Sequence, residues 1–120
     1  MRANPLILQA RQMVADGVIG DVVAVHADFS IGVEFDPSHR LYDLANGGGA
    51  LLDLGVYPTH FAWLFLGRPD TQQVPGTLSP TGSDATAALQ WGYDSGATAP
   101  LRCSTSAPTP GRAPAAGTAA

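Results

Sequence analysis

The sequence predicts an α+β domain: a mostly antiparallel open sheet with helices packed on one face. Two observations carry this. Apolar residues recur at helical spacing over 4–16 and 50–66, and alternate at strand spacing over 22–31, 84–93 and 97–106. The order is helix, strand, long loop, helix, then two or three antiparallel strands, which is not a βαβ nucleotide-binding pattern. At 120 residues, 45% hydrophobic and 13% charged, the chain has the size and balance of one globular domain.

The first helix spans 4–16. Asn4 is a good N-cap, Pro5 suits the first helical position, and Gly17 is a natural stop. Leu6, Ile7, Ala10, Met13 and Val14 make its apolar stripe. In the strand at 22–31, Val23, Val25, Ala27, Phe29 and Ile31 face one side, and Val22, Ala24, His26, Asp28 and Ser30 face the other. Residues 32–46 read as loop. The segment 71–79 alternates poorly but has the length of a strand. In 84–93, Ala85, Ala87, Leu89, Trp91 and Tyr93 share a face, and the Asp-Ser-Gly at 94–96 turns the chain back into 97–106. Pro100 places that last strand at an edge or a bulge. The domain is expected to end near residue 106. Residues 107–120 contain no Val, Ile, Leu, Met or aromatic residue and are expected to be mobile or the start of a truncated strand.

Composition removes several function classes. The net charge is −4, with no basic patch to neutralise phosphates, so nucleic acid is not an expected partner. All six basic residues are arginines, which excludes any mechanism run by a lysine of this chain. Cys103 is the sole cysteine, so a disulfide framework is excluded, and a small buried thiol is the ordinary reading. The N-terminus lacks the pattern of a signal peptide. Asp53, Pro58 and His60 interrupt the longest apolar stretch, so no membrane partner is expected and the default location is cytoplasmic.

The segment 47–67, GGGALLDLGVYPTHFAWLFLG, poses the functional question. On a helix Asp53, Tyr57, His60 and Leu64 fall in one narrow stripe, while Leu, Val, Phe and Trp residues cover the rest. Asp53 and Tyr57 are four apart, and Tyr57 and His60 three apart, so each pair can meet; Asp53 and His60 stand roughly 10 Å apart. Pro58 removes a ladder donor and should kink or open the helix near Leu54, where Gly55 adds freedom. The stripe is either a set of core groups with satisfied partners or one wall of an active site. A metal site lacks ligands: His-Glu-x-x-His is absent. Gly-x-Ser-x-Gly is absent as well, and the triple glycine is no dinucleotide fingerprint, since Leu52 stands where its last glycine would be.

Three stretches, GVIGDVVAVHADF, HRLYDLANGGGALLDLGVYPTHFAWLFLG and GSDATAALQWGYDSGATAPLRCSTSA, resemble the C-terminal domain of the glucose–fructose oxidoreductase / inositol dehydrogenase (Gfo/Idh/MocA) superfamily. They look most like its dimeric dihydrodiol dehydrogenase and sugar dehydrogenase branch. The specific part is 40–67: a glycine run, then Asp-x-Gly-x-Tyr, then an apolar helix ending in glycine. The resemblance implies an N-terminal Rossmann domain that binds NAD or NADP. It implies a sugar, cyclitol or diol substrate, and a homo-oligomer formed through the open sheet face. It also implies that Tyr57 is the proton donor or acceptor at the substrate oxygen and Asp53 the accompanying acid. Arg40 and His60 are the candidate substrate contacts, and Arg40 a candidate cation beside Tyr57. The chain itself lacks the Rossmann domain, the family's Glu-Lys-Pro motif and any lysine. It is therefore expected to be a fragment or truncated product, inactive alone, with no cofactor-binding or metal-binding residue of its own. The alternative is a stand-alone, non-catalytic ligand-binding or dimerisation module derived from that family.

Overall fold

A computed structural model describes residues 3–119; residues 1 and 2 of the expected domain and residue 120 of the expected tail lie outside that range. Helix α1 covers Pro5–Ala15. The Asn4 side chain accepts from the Leu6 amide at 2.9 Å, and Gly17 ends the helix at φ +84°. Ile7, Ala10 and Val14 of its stripe are half-buried, whereas Leu6 and Met13 are exposed.

The predicted strand 22–31 is two strands, β1 (Val22–Val25) and β2 (Ala27–Ser30). Strands β3 (Thr71–Gln73) and β4 (Gly76–Leu78) line one edge of β5 (Asp84–Gly92), whose other edge pairs with β6 (Thr98–Ser104). Strand β7 (Ala115–Gly117) runs antiparallel to β1. The sheet is mixed and open, in the order β3-β5-β6-β1-β7, with β2 also on β6 and β4 on β5. Four of the six strand pairings are antiparallel; β1 and β2 run parallel to β6.

Strand β6 is therefore central, which excludes the edge among the two positions expected from Pro100, an edge or a bulge. The β5–β6 ladder includes Tyr93 N to Ala97 O at 3.1 Å and Thr105 N to Ala85 O at 2.9 Å. By alternation, Leu89–Leu101 is a hydrogen-bonded pair and Gln90–Pro100 a non-bonded one. The missing N–H of Pro100 thus faces β1 and β2, not β5. The parallel ladder breaks opposite it, at His26, between Ala24–Thr98 and Ala27–Leu101. The proline survives in a central strand by splitting its neighbour.

The helices α2 (Ala50–Asp53) and α3 (Val56–Leu66) pack on one face of the sheet. Cross-strand rows such as Leu89–Leu101–Ala27 and Ala87–Cys103–Phe29 lie on that face. Its core gathers Val25, Ala27, Leu89, Trp91, Leu101 and Cys103 against Ala50, Leu54 and Ala62. Each buried leucine there contributes about 1.5–3 kcal/mol. Val23, expected in this core, is 42% exposed, while Val22 packs against it. The β1–β7 register shifts between Val22 and Ala24, and such a bulge exchanges faces locally. Residues 107–119, expected to be mobile or the start of a strand, run back beside β2 and β1, with β7 as the paired stretch.

Candidate functional site

The glycine run turns the chain from two short 3₁₀ turns, 40–42 and 44–46, into α2. Gly48 is packed so that a Cβ would overlap the Arg40 carbonyl and the Asp43 backbone. Gly49 adopts φ +131°, a conformation that L side chains rarely adopt, and its missing Cβ makes room for the Asp84 carboxylate. Asp84 Oδ2 accepts from the Leu51 amide at 2.6 Å, capping α2 from a strand 33 residues away. The same turn brings Arg40 Nη1 to 2.5 Å from Asp53 Oδ1. The hydrogen bond and charge of Asp53 raise the Arg40 pKa above its usual value.

Between α2 and α3 the helix breaks at Leu54–Gly55, as Pro58 predicts. Pro58 has no amide hydrogen for the Leu54 carbonyl, which accepts instead from Tyr57 N at 3.2 Å. Thr59 Oγ1 donates to the Gly55 carbonyl at 2.7 Å and holds the restart. Tyr57 thus stands on the first turn of α3, just past the break.

Tyr57 is 51% exposed, and its ring centroid lies 5.0 Å from that of Phe29. The other two tyrosines of the chain are tied down: the Tyr42 hydroxyl donates to the Val33 carbonyl at 2.6 Å and the Tyr93 hydroxyl to the Gly67 carbonyl at 3.0 Å. Among the described residues the Tyr57 hydroxyl has no such partner. Tyr57 lines a cavity of about 390 Å³ with Asp28, Phe29, Pro58, Phe61, Gly111 and Ala113. His60 lines a different cavity, of about 550 Å³, with Arg11, Thr59, Trp63 and Trp91.

The structure therefore joins Arg40 to Asp53 directly. It does not place Tyr57 and His60 in one cavity, and no hydrogen bond links Asp53 to Tyr57 among the described residues. Sequence reasoning missed Phe29 as the support of Tyr57, although its place on the helix-facing side of the strand was a usable signal. It also missed the wall at 111–113, where the absence of large apolar residues hid a paired segment.

The glycine run is not built to hold a dinucleotide's pyrophosphate. The start of α2 is the helix N-terminus that follows the glycine run, and its Leu51 amide is already occupied by the Asp84 carboxylate, which would repel a pyrophosphate. Among the described residues no three His, Cys, Asp or Glu side chains converge as metal ligands. No helix of the described residues is long and apolar enough to cross a membrane.

Residues 7–120 match the model of the GFO/IDH/MocA C-terminal domain. The chain is 33% identical over 121 residues to trans-1,2-dihydrobenzene-1,2-diol dehydrogenase of Mus musculus, covering 98% of this chain and 35% of that protein. Among solved structures it is similar to a 3-ketoreductase from Actinomadura kijaniata in complex with NADP and TDP-benzene. The TM-score there is 0.75 and the identity 30%, with 96% of this chain and 36% of that one covered. An aldose-aldose oxidoreductase from Caulobacter crescentus complexed with glycerol superposes with a TM-score of 0.82 at 25% identity, covering 97% and 36%. The chain spans about a third of the length of these relatives.

Proposed function

The chain belongs to the GFO/IDH/MocA C-terminal domain family, and from that premise we propose that it is the substrate-binding and oligomerisation part of an NAD(P)-dependent oxidoreductase acting on a sugar, cyclitol or diol. One observation carries the reading. Of three tyrosines, Tyr57 alone is exposed with no hydrogen-bond partner for its hydroxyl among the described residues, and it stands inside the Asp-x-Gly-x-Tyr segment and lines a cavity. A tyrosine kept for packing would bury its ring and satisfy its hydroxyl, as Tyr42 does.

In this reading Tyr57 passes a proton to or from the substrate oxygen while Phe29 holds its ring. Asp53 fixes the Arg40 guanidinium at the entry to α3. There the guanidinium is the proposed donor to substrate hydroxyls. His60 lines a separate cavity and is given no part in the step at Tyr57. Only this proton side is supplied by the chain; the dinucleotide is held by a Rossmann domain outside it. Support for such a covering partner comes from Leu6, Leu52, Val56 and Trp63, apolar side chains at least half exposed on the helical side.

The opposite, open face carries Ala24, His26, Asp28, Ala88, Gln90, Pro100 and Arg102, and we assign it to self-association. Val22, expected on this face, packs against the core instead. Light scattering that returns only monomer at high concentration would refute this assignment. The location is taken as cytoplasmic, where such soluble chemistry would run.

The reading is tested by calorimetric titration and turnover. The isolated chain should show no heat of binding with NAD or NADP and no oxidation of sugars or diols. The same domain preceded by a dinucleotide-binding domain should show both. Micromolar dinucleotide binding by the isolated chain would overturn the division of labour.

A further inference from the structure

Residues 107–114, Ala-Pro-Thr-Pro-Gly-Arg-Ala-Pro, offer no large apolar side chain to bury, yet Gly111 and Ala113 form part of the Tyr57 cavity. Something other than burial must hold them. The Asp28 carboxylate accepts three hydrogen bonds from this stretch: from the Thr109 hydroxyl, from Gly111 N at 3.1 Å and from Arg112 N at 3.3 Å. The Asp28 amide returns one to the Arg112 carbonyl at 3.1 Å. Bonds to a carboxylate are the strong kind, and among the described residues no other side chain bonds this stretch as often. Asp28 is itself fixed, because β2 is registered on β6 with Arg102 directly opposite. The next residue, Phe29, points to the other face and carries the Tyr57 ring. Asp28 and Phe29, adjacent on one short strand, both line the cavity, and Asp28 also holds the stretch that carries Gly111 and Ala113.

We propose that Asp28 is a positioning residue for Tyr57: its carboxylate clamps residues 109–112 along β2 and so sets the wall of the cavity that Gly111 and Ala113 form. This rests on the reading of Tyr57 as the proton-transfer group, but its test does not use catalysis, so the two fail separately.

The test compares the 120-residue chain with Asp28→Ala, Asp28→Asn and Thr109→Val by amide hydrogen exchange and by NMR of the three tyrosine rings. Exchange at Gly111 and Arg112 should rise about tenfold or more in Asp28→Ala. Asp28→Asn, which keeps one acceptor oxygen, and Thr109→Val should give smaller rises. The Tyr57 ring signals should shift in the same order, while those of Tyr42 and Tyr93 stay in place. Should Asp28→Ala not fold, the two milder variants carry the comparison. Faster exchange with an unmoved Tyr57 ring would overturn the proposal, as would unchanged exchange, or equal shifts of all three rings, which report general loosening.

Discussion

Arg40 and Asp53, thirteen residues apart in sequence, meet at 2.5 Å across the glycine turn. Arg40 is 67% exposed, so the pair adds little to stability. Its cost should appear elsewhere. Arg40→Ala should leave the melting temperature of the domain nearly unchanged, yet lower turnover in a polypeptide that also carries a dinucleotide-binding domain. Arg40→Lys should recover part of that activity, because charge is kept and the planar fork is lost. A large fall in melting temperature with unchanged turnover would make the pair structural.

Gly49 and Asp84 make the opposite case. Gly49→Ala places a methyl group against the Asp84 carboxylate at a φ that alanine resists. It should destabilise the domain by about 1–3 kcal/mol in urea titration, at unchanged slope. Asp84→Ala removes the cap on α2 and should cost about 0.5–2 kcal/mol. Because the two residues touch, the double variant should cost less than the sum. Strict additivity would show that the contact is not what makes glycine necessary.

Cys103 is fully buried, and burial, with the charge of Asp84, pushes its thiol up from 9.0 to about 11. The folded state therefore favours the neutral thiol. Its contribution to stability is fully present below the ordinary thiol value and is lost as pH rises toward about 11. Unfolding free energy should fall over that interval, and Cys103→Ala should flatten the fall. Tyr93, raised by burial and by Asp70, keeps a residual slope of the same sign. An identical slope in Cys103→Ala would contradict this assignment.

Much of this was legible in the residues. Alternation placed Leu89, Trp91, Val25 and Phe29 on the helix-facing side, and Pro58 with Gly55 announced the break in the long helix. What could not be read was what depends on pairing partners. Pro100 reads as an edge or bulge residue because local rules see only the lost donor. Its place in a central strand follows from a gap at His26, 74 residues earlier. The bulge that trades Val22 for Val23 arises from the pairing with β7, a strand of small residues with no apolar signal. The stripe of Asp53, Tyr57 and His60 was drawn on a continuous helix. Once the helix breaks at Gly55, Asp53 turns to Arg40, and Tyr57 and His60 line separate cavities.

The central claim is that the Tyr57 hydroxyl carries the proton transfer. Steady-state kinetics of Tyr57→Phe, in a polypeptide where this domain follows a dinucleotide-binding domain, test it most directly. The phenylalanine ring keeps the contact with Phe29 and removes only the hydroxyl. The account predicts a fall in kcat of roughly 10²–10⁴-fold with a much smaller change in KM. Turnover close to that of the unsubstituted protein would contradict it.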